Sequence, residues 1–166
     1  MTQAPDTTPL VKIRDIRIDG RSDETWLPII KGVNLTLQRG QVLGLIGESG
    51  AGKSTLGLAA MGYTRDGVRI SGGSVEFDGI DLLTASAAVK RDLLGKRIAY
   101  VAQSAAASFN PAHRLIDQHV EAPLQHGIAG RKDSAEDGIA LYRKLRLPNP
   151  EEIGFRYPHQ VSGGQL

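Results

Sequence analysis

The chain has 166 residues and a mass of 17.8 kDa; 40% of the residues are hydrophobic and 23% charged, enough for one buried core and unlike a disordered or collagen-like chain. Lysine and arginine exceed aspartate and glutamate only by 20 to 18, so a pI near 9.0 does not amount to a global positive field, and no nucleic-acid partner is expected. The absence of cysteine excludes disulfides, thiolate zinc sites, iron–sulfur clusters and cysteine nucleophiles.

Residues 1–9 are rich in Thr and Pro and read as a flexible terminus without the basic-then-apolar order of a secretory signal. No later stretch approaches the roughly 18 apolar residues that cross a bilayer, so the sequence points to a cytoplasmic protein. Val11, Ile13, Ile16 and Ile18 are the apolar members of a first strand-like run. Val33, Leu35 and Leu37 alternate in a second, with residues 19–23 as turn material between them. Together they suggest a half-exposed antiparallel ribbon.

Val42-Leu43-Gly44-Leu45-Ile46 is apolar without alternation, the pattern of a parallel strand covered on both faces. Residues 53–61 have helix-forming composition, with Leu56, Ala59 and Ala60 at helical spacing and Gly62 as the stop. A short strand over 74–77 follows, then an Asp78-Gly79 turn, a helix over 86–94 and a buried strand over 97–101. Leu115, Ile116, Val120 and Leu124 recur on one helical face. Ser134 reads as the cap of a further helix carrying Ile139, Tyr142 and Leu145 that ends before Pro148. Strands followed by helices give an α/β class with a helical insert.

The segment between the apolar strand and the helix carries the chemistry. Gly47-Glu48-Ser49-Gly50-Ala51-Gly52-Lys53-Ser54 satisfies G-x-x-x-x-G-K-[ST]. Glycines let the backbone curl so that successive N–H groups point into one concavity, which suits phosphate. Gly47, Ser49, Gly50, Ala51, Gly52, Lys53, Ser54 and Thr55 are the expected nucleotide-binding residues. Amides from about Gly50 to Thr55 cradle the β-phosphate, the helix start adds N–H groups and a positive dipole end, Lys53 bridges β and γ oxygens, and Ser54 ligates Mg²⁺. The glycines run G-x-x-G-x-G rather than G-x-G-x-x-G, which sets a dinucleotide fold aside. His113, His119, His126 and His159 lack the spacing of a metal site, and Glu48 within the loop reads as solvent-facing.

Two further motifs narrow the reading. Val101-Ala102-Gln103 resembles the Q-loop, and Val161-Ser162-Gly163-Gly164-Gln165 resembles the signature motif, of ATP-binding cassette (ABC) proteins. Ser108-Phe109-Asn110-Pro111 and Tyr157-Pro158-His159-Gln160 are similar to the ATPase subunits of oligopeptide, dipeptide and nickel importers. The resemblance covers residues 10–166. It implies a partial nucleotide-binding domain of α/β class, with an N-terminal antiparallel β subdomain and the P-loop NTPase core over about 10–103 and a helical subdomain over about 104–166 that ends at the signature motif.

It also implies roles. Gln103 contacts Mg²⁺ and the catalytic water, which makes Lys53 and Gln103 the catalytic candidates and Ser54 and Gln103 the metal ligands. The region around 104–114 docks a transmembrane permease. Ser162, Gly163, Gly164 and Gln165 face the γ-phosphate held by a second ATPase subunit in a head-to-tail dimer, and Trp26, the only aromatic residue before Lys53, is the candidate for stacking on adenine. The implied function is an importer subunit at the inner face of the membrane. MgATP binding and hydrolysis there drive uptake of peptides or a related solute, with a solute-binding protein as an indirect partner. A non-transport assembly module, similar to the cassette associated with carbon–phosphorus lyase, is the alternative, as is an inactive fragment.

The sequence departs from the family in two places. Ser104 and Ala105 stand where an acidic residue and a proline commonly follow the glutamine. No counterpart of the Walker B strand, the D-loop or the switch histidine appears before Leu166, so a fragment is expected that binds ATP without turning it over, for want of a metal anchor and a general base. An open hydrophobic sheet edge is the structural expectation.

Overall fold

The computed structural model describes residues 8–104 and 106–166; the expected flexible terminus lies outside them up to residue 7, as does Ala105. The chain divides into two compact units, one ending at Lys90 and the other beginning at Arg91.

The first unit is built on an antiparallel sheet. Its strands are β1 (Val11–Ser22), β2 (Thr25–Leu37), β3 (Val68–Phe77) and β4 (Ile80–Asp81), in the order β2-β1-β3-β4. The ribbon expected from the alternation is present and longer than expected. β1 runs on to Ser22, so residues 19–22 are strand rather than turn, and Asp23, at φ 52, makes the reversal. Ile13 faces Leu35 and Val75, Ile16 faces Val33, and Ile18 faces Ile30 and Ile70. Ile13, Ile16, Ile18 and Val75 are fully buried. Burying such aliphatic side chains contributes about 1.5–3 kcal/mol each.

The buried residues of β1 step from 13 to 16 because the register shifts there against both neighbours. The extra residue is a bulge. Asp15 takes φ 44, its N–H donates to Asn34 Oδ1 at 3.0 Å, and its carboxylate accepts from Arg17 at 2.6 Å.

Helix α1 (Lys53–Ala59) follows the glycine loop and buries Leu56, Leu58 and Ala59. The preceding apolar segment 42–46 is not the buried strand its composition suggests. It has no regular structure, and Val42 and Ile46 are 94% and 100% exposed. A parallel strand needs a hydrogen-bonded neighbour, and no described residue pairs with this one.

The second unit is helical. It opens within α2 (Ala87–Leu93) and contains α3 (Leu115–His119), α4 (Glu121–Gln125), α5 (Arg131–Lys144), α6 (Pro150–Ile153) and a 3₁₀ turn over Pro158–Gln160. Leu115, Ile116, Val120 and Ile153 form its buried centre. Gly138 lets α5 approach α3: a Cβ there would lie 2.9 Å from His119 and 3.1 Å from Ile116. The single apolar face of 115–124 is divided between α3 and α4, which meet at Val120.

Two further expectations are corrected. The strand over 97–101 reduces to an isolated bridge between Leu94 and Ile98, with Val101 92% exposed, for the same lack of a pairing partner. Ser134 is not a cap. α5 begins a turn earlier behind Gly130, with Asp133 in its first turn, and Ser134 is buried inside the helix with no hydrogen-bond partner for its hydroxyl among the described residues. The acidic side chain near the positive helix end and the Arg131–Asp117 ion pair favour the earlier start.

Candidate functional site: the Gly47–Ser54 loop and the Ser162 turn

The loop between β2 and α1 owes its shape to glycine at two positions. Gly50 and Gly52 both have φ 82, while Ala51 and Lys53 are not among the positive-φ residues. The sign of φ therefore alternates from 50 to 53, the backbone pattern that turns consecutive N–H groups toward one concavity. Gly52 has a second constraint. A Cβ there would sit 3.3 Å from both Ile29 and Ile30 of β2, so the loop rests against the sheet at a residue without a side chain.

Two contacts close the loop on itself. The Ala51 N–H donates to the Glu48 carbonyl at 3.2 Å. Lys53 Nζ donates to the carbonyls of Gly47 at 2.8 Å and Glu48 at 2.5 Å. The ammonium is thereby drawn over the loop rather than extended into solvent. α1 has no acidic residue in its first turn and, among the described residues, no side-chain cap, so no side chain competes with an anion for the free N–H groups of the helix start. Ser49 and Ser54 are exposed, Thr55 is half-buried, and Glu48 is exposed as expected.

Trp26 lies near the hairpin end of β2, in register with Arg21, and is 37% exposed. Arg69 of β3 stands over its ring at 4.2 Å from the centroid and is held there by Asp19 at 3.2 Å. A guanidinium so placed is attracted by the ring face, and it occupies one side of the indole.

The remaining candidates belong to the second unit. Gln103 is exposed in a segment without regular structure. After it, the Ser108 hydroxyl donates to the Ser104 carbonyl at 2.9 Å. Ser162, Gly163 and Gly164 are exposed and form a turn closed from both ends. The Ser162 N–H donates to Gln165 Oε1 at 2.8 Å, and the Gln165 N–H donates to the Ser162 carbonyl at 2.9 Å. Tyr157 and Gln160 repeat the construction with both bonds at 2.9 Å. A Gln side chain returning to the N–H three residues back is the half of a capping box that satisfies an N-cap amide, while the other bond goes to the Ser162 carbonyl rather than its hydroxyl. The spacing of Ser162 and Gln165 is a signal available in the sequence. The loop, Trp26 and the Ser162 turn are thus formed within their own units.

One residue that spacing did not reveal is Gln118 of α3, which binds the backbone of Asn110 and His113. Its partners lie five and eight residues away, beyond any periodic pattern.

Comparison with known proteins agrees with the motif order. The ABC transporter family model matches residues 30–166. A Brucella abortus protein named as a peptide import ATP-binding protein is 35% identical over 166 residues, which is 99% of this chain and 50% of the relative. The dipeptide transport ATP-binding protein DppD of Haemophilus influenzae is 33% identical over 155 residues, 93% of this chain and 47% of the relative. The chain therefore spans about half the length of the curated relatives it matches. Among solved structures, the ATP-binding cassette MJ0796 bound to ADP and Pi superimposes with a TM-score of 0.74 at 20% identity, covering 93% of this chain and 64% of that one. The fold is that of an ABC ATPase core with an antiparallel β portion and a helical portion, and the chain belongs to the ABC transporter family.

Proposed function

We propose that this chain is the ATP-binding portion of an importer ATPase, with ATP and Mg²⁺ held at residues 47–55 and the energy of binding and hydrolysis coupled in the whole protein to uptake of peptides or a related solute. The observation that carries the reading is the loop itself: φ alternating in sign from Gly50 to Lys53, with the Lys53 ammonium drawn over the Gly47 and Glu48 carbonyls. A triphosphate offers that ammonium stronger, charge-assisted acceptors than two neutral carbonyls.

The residues present fit the cofactor. The loop amides supply donors for the β-phosphate, Lys53 supplies a positive charge for the β and γ oxygens, and the exposed Ser54 hydroxyl supplies an oxygen ligand of the kind Mg²⁺ prefers. When bound, Mg²⁺ neutralises charge between the terminal phosphates. Gln103 is the proposed second contact to the metal and to water. The exposed surface of Trp26 that Arg69 does not cover is the proposed platform for adenine.

The Ser162 turn supports a dimer. Neither Gly163 nor Gly164 has positive φ, and a Cβ on either would meet nothing within 4 Å. Among the described residues, neither packing nor conformation calls for glycine at these positions, whereas close approach of an external phosphate does. We assign that phosphate to a second ATPase subunit placed head to tail. The segment 104–114 is the proposed docking site for a membrane permease, at the inner face of the membrane, with a solute-binding protein acting on the permease rather than on this chain. No helix among the described residues is long and apolar enough to cross a membrane. The peptide-import names of the relatives favour transport over an assembly role.

Calorimetric titration of the folded chain with MgATP tests the central claim. Saturable binding that Lys53→Ala weakens by at least about tenfold is expected. Absence of binding to a folded sample, or equal affinity in the variant, rejects it.

A further inference from the structure

We propose that Gln118 is the positioning residue of the 108–114 loop, its carboxamide replacing a neighbouring strand as the hydrogen-bond partner of the loop backbone. The inference rests on the reading of that loop as the permease-docking segment and adds the device that holds it in shape.

The geometry uses both donors of a primary amide and one lone pair of its oxygen. Gln118 Oε1 accepts the Asn110 N–H at 2.8 Å, while Nε2 donates to the Asn110 carbonyl at 3.0 Å and to the His113 carbonyl at 3.1 Å. Oxygen and nitrogen of one side chain thus read both backbone groups of one residue, as a paired strand would. Asn110 passes the order on. Its Oδ1 accepts the Ala112 N–H at 3.0 Å, and its carbonyl also accepts the His113 N–H at 3.2 Å. Pro111 between them has no N–H to satisfy.

The base of the clamp is fixed. The α3 amides of Leu115 and Ile116 donate to the carbonyls of Arg156 at 3.0 Å and Gly154 at 2.7 Å, and both side chains are buried. Gln118 therefore projects from an anchored helix turn and stands between two clefts. One, of about 550 Å³, is lined in part by Phe109 and Tyr142; the other, of about 760 Å³, by His113, Glu121 and Arg131. A loop with no regular structure and exposed backbone would sample many conformations, and the three bonds select one. Glutamate cannot replace the amide, because an ionised carboxylate has no donor for the two carbonyls.

Amide exchange on the full chain, followed by retention on washed membranes from its own host cells, tests the proposal. In Gln118→Leu, which removes the acceptor of the Asn110 N–H, that amide should exchange at least about tenfold faster. In Gln118→Glu, which keeps the acceptor but loses both donors to the Asn110 and His113 carbonyls, the acceleration should be smaller. In both, the Ile116 amide should not change and MgATP affinity should stay as in the parent chain. Membrane retention should fall with the loop. Unchanged Asn110 exchange in both variants, or acceleration shared equally by Ile116, overturns the clamp. Arg114→Glu separates the two levels. If it lowers retention while the loosened Gln118 variants do not, Gln118 has no positioning role in docking. If neither lowers it, the docking reading itself fails even where the exchange result stands.

Discussion

Gly73 of β3 passes so close to Asp15 of β1 that a Cβ on the glycine would lie 2.5 Å from the Asp15 carbonyl oxygen and equally near that of Arg14. The bulge at Asp15 is bracketed on the other side by Gly32, whose Cβ would sit 2.6 Å from Asp15 Oδ1. Gly73 also has φ 89, so alanine there meets both a backbone clash and a left-handed conformation. Gly73→Ala should destabilise the first unit by about 3 kcal/mol, read as a lower denaturant midpoint. A loss below about 1 kcal/mol would mean that the bulge relaxes freely.

The two left-handed glycines of the loop should differ in what they tolerate. At Gly50 alanine meets nothing within 4 Å, so Gly50→Ala should cost only the conformational penalty of about 1–2 kcal/mol. At Gly52 the same φ is joined by Ile29 and Ile30 at 3.3 Å. Gly52→Ala should therefore destabilise more than Gly50→Ala and weaken MgATP binding by at least about tenfold, because the loop must leave β2 to make room. Equal melting temperatures and equal affinities for the two variants would contradict this account.

What the sequence disclosed follows from where the determining interactions lie. The ribbon was legible because Ile13, Ile16, Ile18 and Val33, Leu35, Leu37 report a buried face locally. The step of three between Ile13 and Ile16 is the trace of the bulge, readable once the period of two is held strictly. The loop was legible because its glycines and lysine are contiguous. The strands over 42–46 and 97–101 were misplaced because composition reports only the burial a strand would suit, whereas its existence depends on a partner that no described residue provides. Ser134 was misread as a cap because a buried serine and a capping serine look alike before the chain is folded. The Gln118 clamp was invisible, since nothing in a lone glutamine marks which carbonyls it will meet.

Trp26 is the only tryptophan, so its emission reports on the proposed adenine platform without labelling. One face is held by Arg69 at 4.2 Å. A base stacking on the ring should quench that emission with MgATP but not with magnesium tripolyphosphate, which brings the phosphates without the base. Trp26→Ala should weaken MgATP by about 1–3 kcal/mol and leave tripolyphosphate affinity unchanged. The same response to both ligands would assign Trp26 to packing under Arg69.

The helical unit should respond to pH at both ends of the range, for opposite reasons. The Arg143 guanidinium bonds Glu151 at 2.8–2.9 Å across α5 and α6, and that bond, helped by a backbone donor, holds the carboxyl below the usual glutamate value. A folded pKa below the unfolded one means that the unfolded chain binds the proton more readily. The stabilisation is then present above the ordinary glutamate range, about 4.3, and is lost as pH falls through the folded value. Because the pair is exposed, the effect should be small and shrink in salt. Burial moves Tyr142 the other way, raising its pKa. Here the stabilisation is present below the ordinary tyrosine value of about 10 and is lost as pH rises through the higher folded value. Thermal melts should show Glu151→Gln flattening only the acid limb and Tyr142→Phe only the alkaline limb. The Phe variant keeps the edge-on ring contact with His119 at 5.7 Å, so a loss of stability at neutral pH as large as the alkaline change would show that the hydroxyl matters for packing rather than for titration.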